Sequence, residues 1–163
     1  MREIELWPDS GKRSWRLITD MVMGGVSLGT LHTATIGEDA PVRMRGAVST
    51  ENNGGFIQIA LDLQPAGGAF DASAFTGIGL EVFGNGETYG MHLRTTDVVR
   101  PQQSYRSAFV APQHRTLLKL PFAGFVPHRI ETPFNSSRLR RIGLVAIGRA
   151  FDADLSVARV WLY

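Results

Sequence analysis

The sequence predicts an all-β protein of the sandwich or jelly-roll kind, and three observations carry that prediction. Apolar residues recur at every second position in one segment after another, which is the period of a half-buried strand. Gly, Pro, Asn and Asp clusters separate these segments and supply the backbone angles that turns require. Helical periodicity is almost absent, and eight short strand patterns spaced this way suit two packed sheets.

In order along the chain, "VRMRGAV" sets Val42, Met44 and Val48 on one face and Arg43 and Arg45 on the other. "FIQIALDL" opposes Ile57, Ile59, Leu61 and Leu63 to Gln58 and Asp62. "GIGLEVF", "YGMHLRT", "SYRSAFV", "RTLLKLP", "RIGLVAIG" and "LSVARVWLY" continue the pattern. "GNGETYG", Gly84 to Gly90, falls between two of these strands and reads as a hairpin turn, with Asn85-Gly86 the favoured pair for positive φ. One helical turn is expected near "DASAF", capped by Asp71 or Ser73. Trp15, Phe56, Leu80, Met91, Phe109, Phe122, Leu144 and Trp161 are the expected core between the sheets.

With 163 residues and 44% hydrophobic content, the chain fits a single domain over 1–163, since domains usually hold roughly 100–200 residues. Charged residues make up 20%, so the low-hydrophobicity, high-charge signature of disorder is missing. Fifteen of the seventeen basic residues are Arg and the net charge is +2, which reconciles that small charge with a pI near 9.4. The only dense basic group is "RLRR", Arg138 to Arg141, and it reads as a solvated strand entry rather than a nucleic-acid stripe. The chain has no cysteine, which excludes disulfides, zinc-thiolate sites and thiol nucleophiles. No apolar run has the length of a signal peptide or a membrane span, so a soluble, cytoplasmic protein without membrane insertion is expected.

The stretch "DMVMGGVSLGT", Asp20 to Thr30, has the glycine spacing of a phosphate loop. Thr30 stands where the lysine belongs, and "LHTATI" follows as a strand rather than a helix, so phosphate chemistry is not supported. Ser27 lacks the G-x-S-x-G elbow of a hydrolase nucleophile and reads as a turn hydroxyl. The histidines at 32, 92, 114 and 128 lie in separate elements without metal-ligand spacing. Asp152 and Asp154 of "FDADL" could serve a calcium ion but read better as surface turn carboxylates. Whether Asp20, Glu51 or Glu81 pair for acid/base chemistry is not set by the sequence. Asp20 has two readings. It either accepts from backbone amides of its own turn or, exposed beside Asn52 and Asn53, forms part of a polar loop site. No motif calls for a cofactor.

Six segments, "WRLITDMVMGGVS", "GAVSTENNGGFIQI", "FTGIGLEVFGNGETYGMHLRT", "SYRSAFVA", "LPFAGFVP" and "IGLVAIG", occur in an order that closely resembles the complex I intermediate-associated protein 30 family, over about Trp15 to Tyr163. Trp15, Asp20, Gly24, Gly25 and Ser27 match its first motif, and Asn53, Gly54, Gly55 and Phe56 its second. Tyr89, Phe109, Pro121, Phe122 and Phe125 match later ones. The resemblance implies a galactose-binding-domain-like jelly-roll β-sandwich related in fold to carbohydrate-binding modules. It also implies a non-enzymatic domain that engages a protein client, such as a respiratory-complex subunit; a glycan on a concave sheet face is the alternative ligand. The chain departs from the family at Asn85 and Glu87, where an aspartate and an arginine are frequent, and in "HRTLLKLPF", where leucines stand near an expected tryptophan. On the polar side of consecutive strands, His92 and Arg94, with either Tyr105 or Arg106 on the next, are the candidate binding residues.

Overall fold

The computed structural model describes residues 3–9, 13–33 and 41–163. Among these residues there is no α-helix, and the strands are β1 (Ile4–Trp7), β2 (Trp15–Thr19), β3 (Leu28–Thr33), β4 (Val42–Val48), β5 (Phe56–Asp62), β6 (Gly77–Gly84), β7 (Thr88–Thr95), β8 (Ser104–Val110), β9 (Thr116–Pro121), β10 (Val126–His128), β11 (Leu139–Ile147) and β12 (Phe151–Leu162). The end of "LHTATI" beyond Thr33 lies outside the described residues.

Period-two patterning becomes two antiparallel sheets. The first has the order β3-β4-β12-β6-β9, with β1 also paired to β12, and the second has the order β10-β8-β7-β11-β5-β2. Each strand turns its apolar set inward, since a one-residue slip would expose all of it. Val42, Met44, Ile78, Leu80, Val82, Leu155 and Val157 from the first sheet meet Ile57, Ile59, Leu61, Met91, Leu93, Ile142 and Leu144 from the second, all fully buried. Near Ala158 the pairing of β12 with β6 shifts by a bulge. That extra residue returns Val160 and Leu162 to the core and turns Arg159 and Trp161 outward.

The expected alternation therefore holds, but two local expectations need correction. β6 and β7 belong to opposite sheets, so "GNGETYG" crosses between them and is not a hairpin. Gly86 has φ 80, while Asn85 hydrogen-bonds the Tyr89 hydroxyl at 2.7 Å and the carbonyl of Asp152 at 2.9 Å. Its side chain also accepts from the Glu87 amide at 3.4 Å, so it ties this crossing turn to β12 rather than closing a hairpin. At "DASAF" the Asp71 carboxylate accepts from the Ser73 amide at 2.9 Å, and Ala72 donates across to the Ser136 carbonyl at 2.9 Å. An Asx turn thus replaces the helical turn.

The core list is also revised. Trp161 is 3% exposed, but it is buried on the outer side of the first sheet, where its indole fills the space that a side chain on Gly79 would take and Arg159 covers it at 4.2 Å. Phe56 is half-buried at the start of β5, opposite Ile147 on the outer side of the second sheet. Phe122 is half-buried in a turn at the core's margin. Trp15, Leu80, Met91, Phe109 and Leu144 occupy the core as expected.

Candidate functional site

Asp20 opens a 3-10 turn, Asp20–Met23, which Gly24 closes with φ 85, a conformation glycine adopts without strain. The Asp20 side chain is 0% exposed. Its Oδ1 accepts from the Ser27 amide at 2.9 Å, and its Oδ2 accepts from the Ser27 hydroxyl at 2.5 Å and from the amides of Gly55 at 2.6 Å and Phe56 at 3.3 Å. Ser27 Oγ in turn accepts from the Ser49 amide at 2.8 Å. A Cβ on Gly25 or Gly54 would strike the Asp20 carboxyl group. One carboxylate therefore ties both Gly-Gly loops together, and the glycines are there to let it in.

Burial by itself would raise the Asp20 pKa. The Ser27 hydroxyl and the amides of Gly55, Ser27 and Phe56 outweigh it and hold the carboxyl below its ordinary 3.8. Asp20 and Ser27 are thus ionised anchor and buried donor, with no surface of their own. Ser27 has no histidine beside it, and Glu81 faces away on the first sheet, paired with Arg115. Asn52 is exposed in the adjoining turn at φ 57, and the side chain of Asn53 lies outside the described residues.

The knot holds out an apolar ledge that sequence reasoning missed. Met21, Val22, Val26 and Leu28 are 64%, 73%, 41% and 68% exposed. Met21, Val22 and Leu28, with Leu17, Ile18, Thr19 and Gly29, line a cleft where the edge strands β2 and β3 meet. The available signal was four apolar residues packed around a glycine pair, where a plain loop would be polar.

A second constellation covers the outer face of the second sheet. Register sets three rows across it: Asp62, Arg141 and Arg94; Ala60, Gly143, His92 and Arg106; and Gln58, Val145, Gly90 and Ala108. Arg16 of β2 lies opposite Ala60. His92, Arg94 and Arg106 are brought together on this face as expected. Tyr105, the other option on β8, turns inward, 0% exposed, and donates to the Thr132 carbonyl at 2.6 Å. Gln58, Asp62, Arg16 and Arg141 join the face from strands remote in sequence, so only the strand order could reveal them. Gln58 lies across the space above Gly143, and His92 across that above Gly90, the kind of close approach that glycine in a strand permits.

The electrostatics of this face are lopsided. Asp62 is shared by Arg141 at 2.8 Å and Arg16 at 3.3 Å. Among the described residues Arg94 donates to the carbonyls of Arg100, Pro101 and Gln103, and Arg106 to the Ser104 hydroxyl at 2.8 Å. Burial, together with Arg106 and His128, pushes the His92 pKa down from 6.5 to about 3, so the imidazole is neutral near neutral pH. The unfolded chain binds that proton from about pH 6.5 downward and the native state does not. The stabilising contribution is therefore complete above pH 6.5 and is lost as pH falls toward 3, with a slope of at most about 1.4 kcal/mol per pH unit. Urea unfolding at pH 7 and 4.5 should show a smaller difference for His92→Gln than for the wild type; equal differences would contradict this environment for His92.

Asp154 and the "RLRR" arginines Arg138 and Arg140 are already engaged. Asp154 is clamped by Arg43 at 2.8 Å, Arg138 pairs with Asp97 at 3.1 Å, and Arg140 donates to the Gly67 carbonyl at 2.7 Å. Among the described residues no three His, Cys, Asp or Glu side chains converge as a metal site would need, and no helix is long and apolar enough to cross a membrane.

Solved structures similar to this chain share its sandwich. A family 30 carbohydrate-binding module of a cellulosomal cellulase of Clostridium thermocellum matches with a TM-score of 0.71 at 13% identity, covering 100% of this chain and 98% of its own. A family 11 module from Clostridium thermocellum, in complex with a β-1,3-1,4-mixed-linked tetrasaccharide, matches with a TM-score of 0.69 at 11% identity, covering 98% and 93%. An agarase matches with a TM-score of 0.61 at 10% identity over 98% of this chain but only 24% of its own. At such identities the likeness is one of fold. No curated protein matches the sequence significantly. The model of the complex I intermediate-associated protein 30 (CIA30) family matches residues 4–157, and the chain belongs to that family.

Proposed function

We propose that this chain is a single, non-catalytic binding domain of the cytoplasm that engages a protein client in the manner of an assembly factor, with a respiratory-complex subunit as the client. Membership of a family described as complex I intermediate-associated supports the reading. The observation that carries it is the ledge of Met21, Val22 and Leu28 along one cleft. Contiguous exposed apolar surface commonly marks interaction sites, and this surface is carried by a loop that a buried carboxylate holds in one conformation. Such preorganisation lowers the ordering cost of binding.

The test is co-purification of the tagged protein from its native organism. Subunits of a respiratory complex should be recovered with the wild type and lost with Met21→Ser/Val22→Ser/Leu28→Ser, while the thermal midpoint stays put because these side chains are already in water. Recovery of no such subunit, or equal recovery with the variant, would count against the reading.

A glycan on the outer face of the second sheet is a second reading, favoured by the likeness of fold to carbohydrate-binding modules. The face opposes it, because Tyr105 is turned into the core and leaves no ring beside His92 for a sugar to stack on. Binding to neutral glucans in a glycan array would restore it.

A further inference from the structure

The strands of the second sheet set four arginines, Arg16, Arg94, Arg106 and Arg141, on their outer face against one carboxylate, Asp62. Arg94 and Arg141 are directly opposite each other across β7 and β11, an arrangement that costs stability when both are charged. Asp62 pairs with Arg141 and Arg16 and not with Arg94. Among the described residues neither Arg94 nor Arg106 has a carboxylate partner. Between the arginines the sheet carries only the small residues Ala60, Gly143, Gly90 and Ala108, and the Gln58 and His92 side chains lie low across the two glycines. Val110 and Val126, 49% and 65% exposed, border the β8 and β10 side.

We infer that this face is a binding surface for an acidic peptide segment, with Arg94 and Arg106 as its principal carboxylate-binding residues. Two guanidinium groups without acidic partners are matched by side-chain carboxylates, which they can hold through charge-assisted, two-pronged hydrogen bonds. Neutral His92, opposite Arg106, offers a hydrogen-bonding edge without adding to the repulsion. The exposed valines suit the apolar side chains of a peptide, whereas a sugar would need an aromatic platform that this face lacks beside the arginines. The surface is independent of the apolar ledge: Arg94 and Arg106 lie three and four strands away from β2, about 14–19 Å at the usual strand spacing.

Fluorescence anisotropy with a labelled ten-residue glutamate peptide tests the inference. The wild-type protein should bind it with an affinity that falls as salt rises, and Arg94→Gln/Arg106→Gln should weaken binding at least about tenfold. Arg94→Lys/Arg106→Lys, which keeps the charge, should weaken it less and covers the case in which the glutamine variant is unstable. Arg115→Gln/Lys119→Gln on the other sheet, and the triple serine variant of the ledge, should leave it unchanged. No binding by the wild type, or an equal loss in the Arg115 and Lys119 variant, would overturn the proposal. Tighter binding of polygalacturonate than of the peptide, abolished by the same glutamine variant, would also overturn it and assign the face to an acidic glycan.

Discussion

Asp20→Ala should lower stability by about 2–4 kcal/mol, because it strips the partner from two buried backbone donors at about 1–2 kcal/mol each. The amides of Ser27 and Gly55 lose their acceptor where water does not reach them. For a chain of this size the thermal midpoint should fall by roughly 4–16 °C. Asp20→Asn, which keeps one oxygen acceptor, should cost less. The carboxyl titrates below its ordinary 3.8 in the native state, so between those two pKa values the unfolded chain binds more protons. The contribution is thus complete above the ordinary value and is lost as pH falls through the native one. Thermal melts should therefore bring the variant and the wild type closer together in acid. An Asp20→Ala protein with an unchanged midpoint at neutral pH would refute the knot.

The second large effect is expected at Phe109. Its ring lies 6.2 Å from that of Tyr89, which itself lies 6.0 Å from Phe151. The Tyr89 hydroxyl accepts from the Asp154 amide at 2.9 Å, so β7 of the second sheet is clasped to β12 of the first. Truncating Phe109, 6% exposed, leaves a cavity under this clasp, and Phe109→Ala should cost about 3–5 kcal/mol. Phe109→Leu keeps most of the volume and should cost about 1 kcal/mol. Urea unfolding with an unchanged slope is the measurement; a loss below 1 kcal/mol for the alanine variant would show that the ring supports nothing.

These two residues illustrate how unevenly the sequence can be read. Phe109 is placed in the core by alternation alone, since Tyr105 and Phe109 share the inward parity of β8. The same parity turns Tyr105 inward and Arg106 outward once Phe109 is placed, so the choice between them was legible in the strand itself. Asp20 is recognisable as a turn acceptor, but two of its four donors come from a loop 35 residues further along the chain. Trp161 shows how alternation fails, because a single bulge at Ala158 reverses parity near the end of β12 and no residue type in "LSVARVWLY" signals the bulge. "GNGETYG" fails differently: turn chemistry reports that the chain reverses, and says nothing about whether it stays in the same sheet.

By itself the sequence determined the all-β class and most of the inward set, because those properties follow from local sterics and from a side-chain period of two. Only the tertiary structure decided which outward residues become neighbours. Strand order sets Arg141 beside Arg94 and Gln58 over Gly143, and the Asp20 contacts across two loops anchor the turn that carries Met21 and Val22. The physical reason is that sites arise from contacts between strands tens of residues apart, whereas periodicity reports only on each strand and the core it faces.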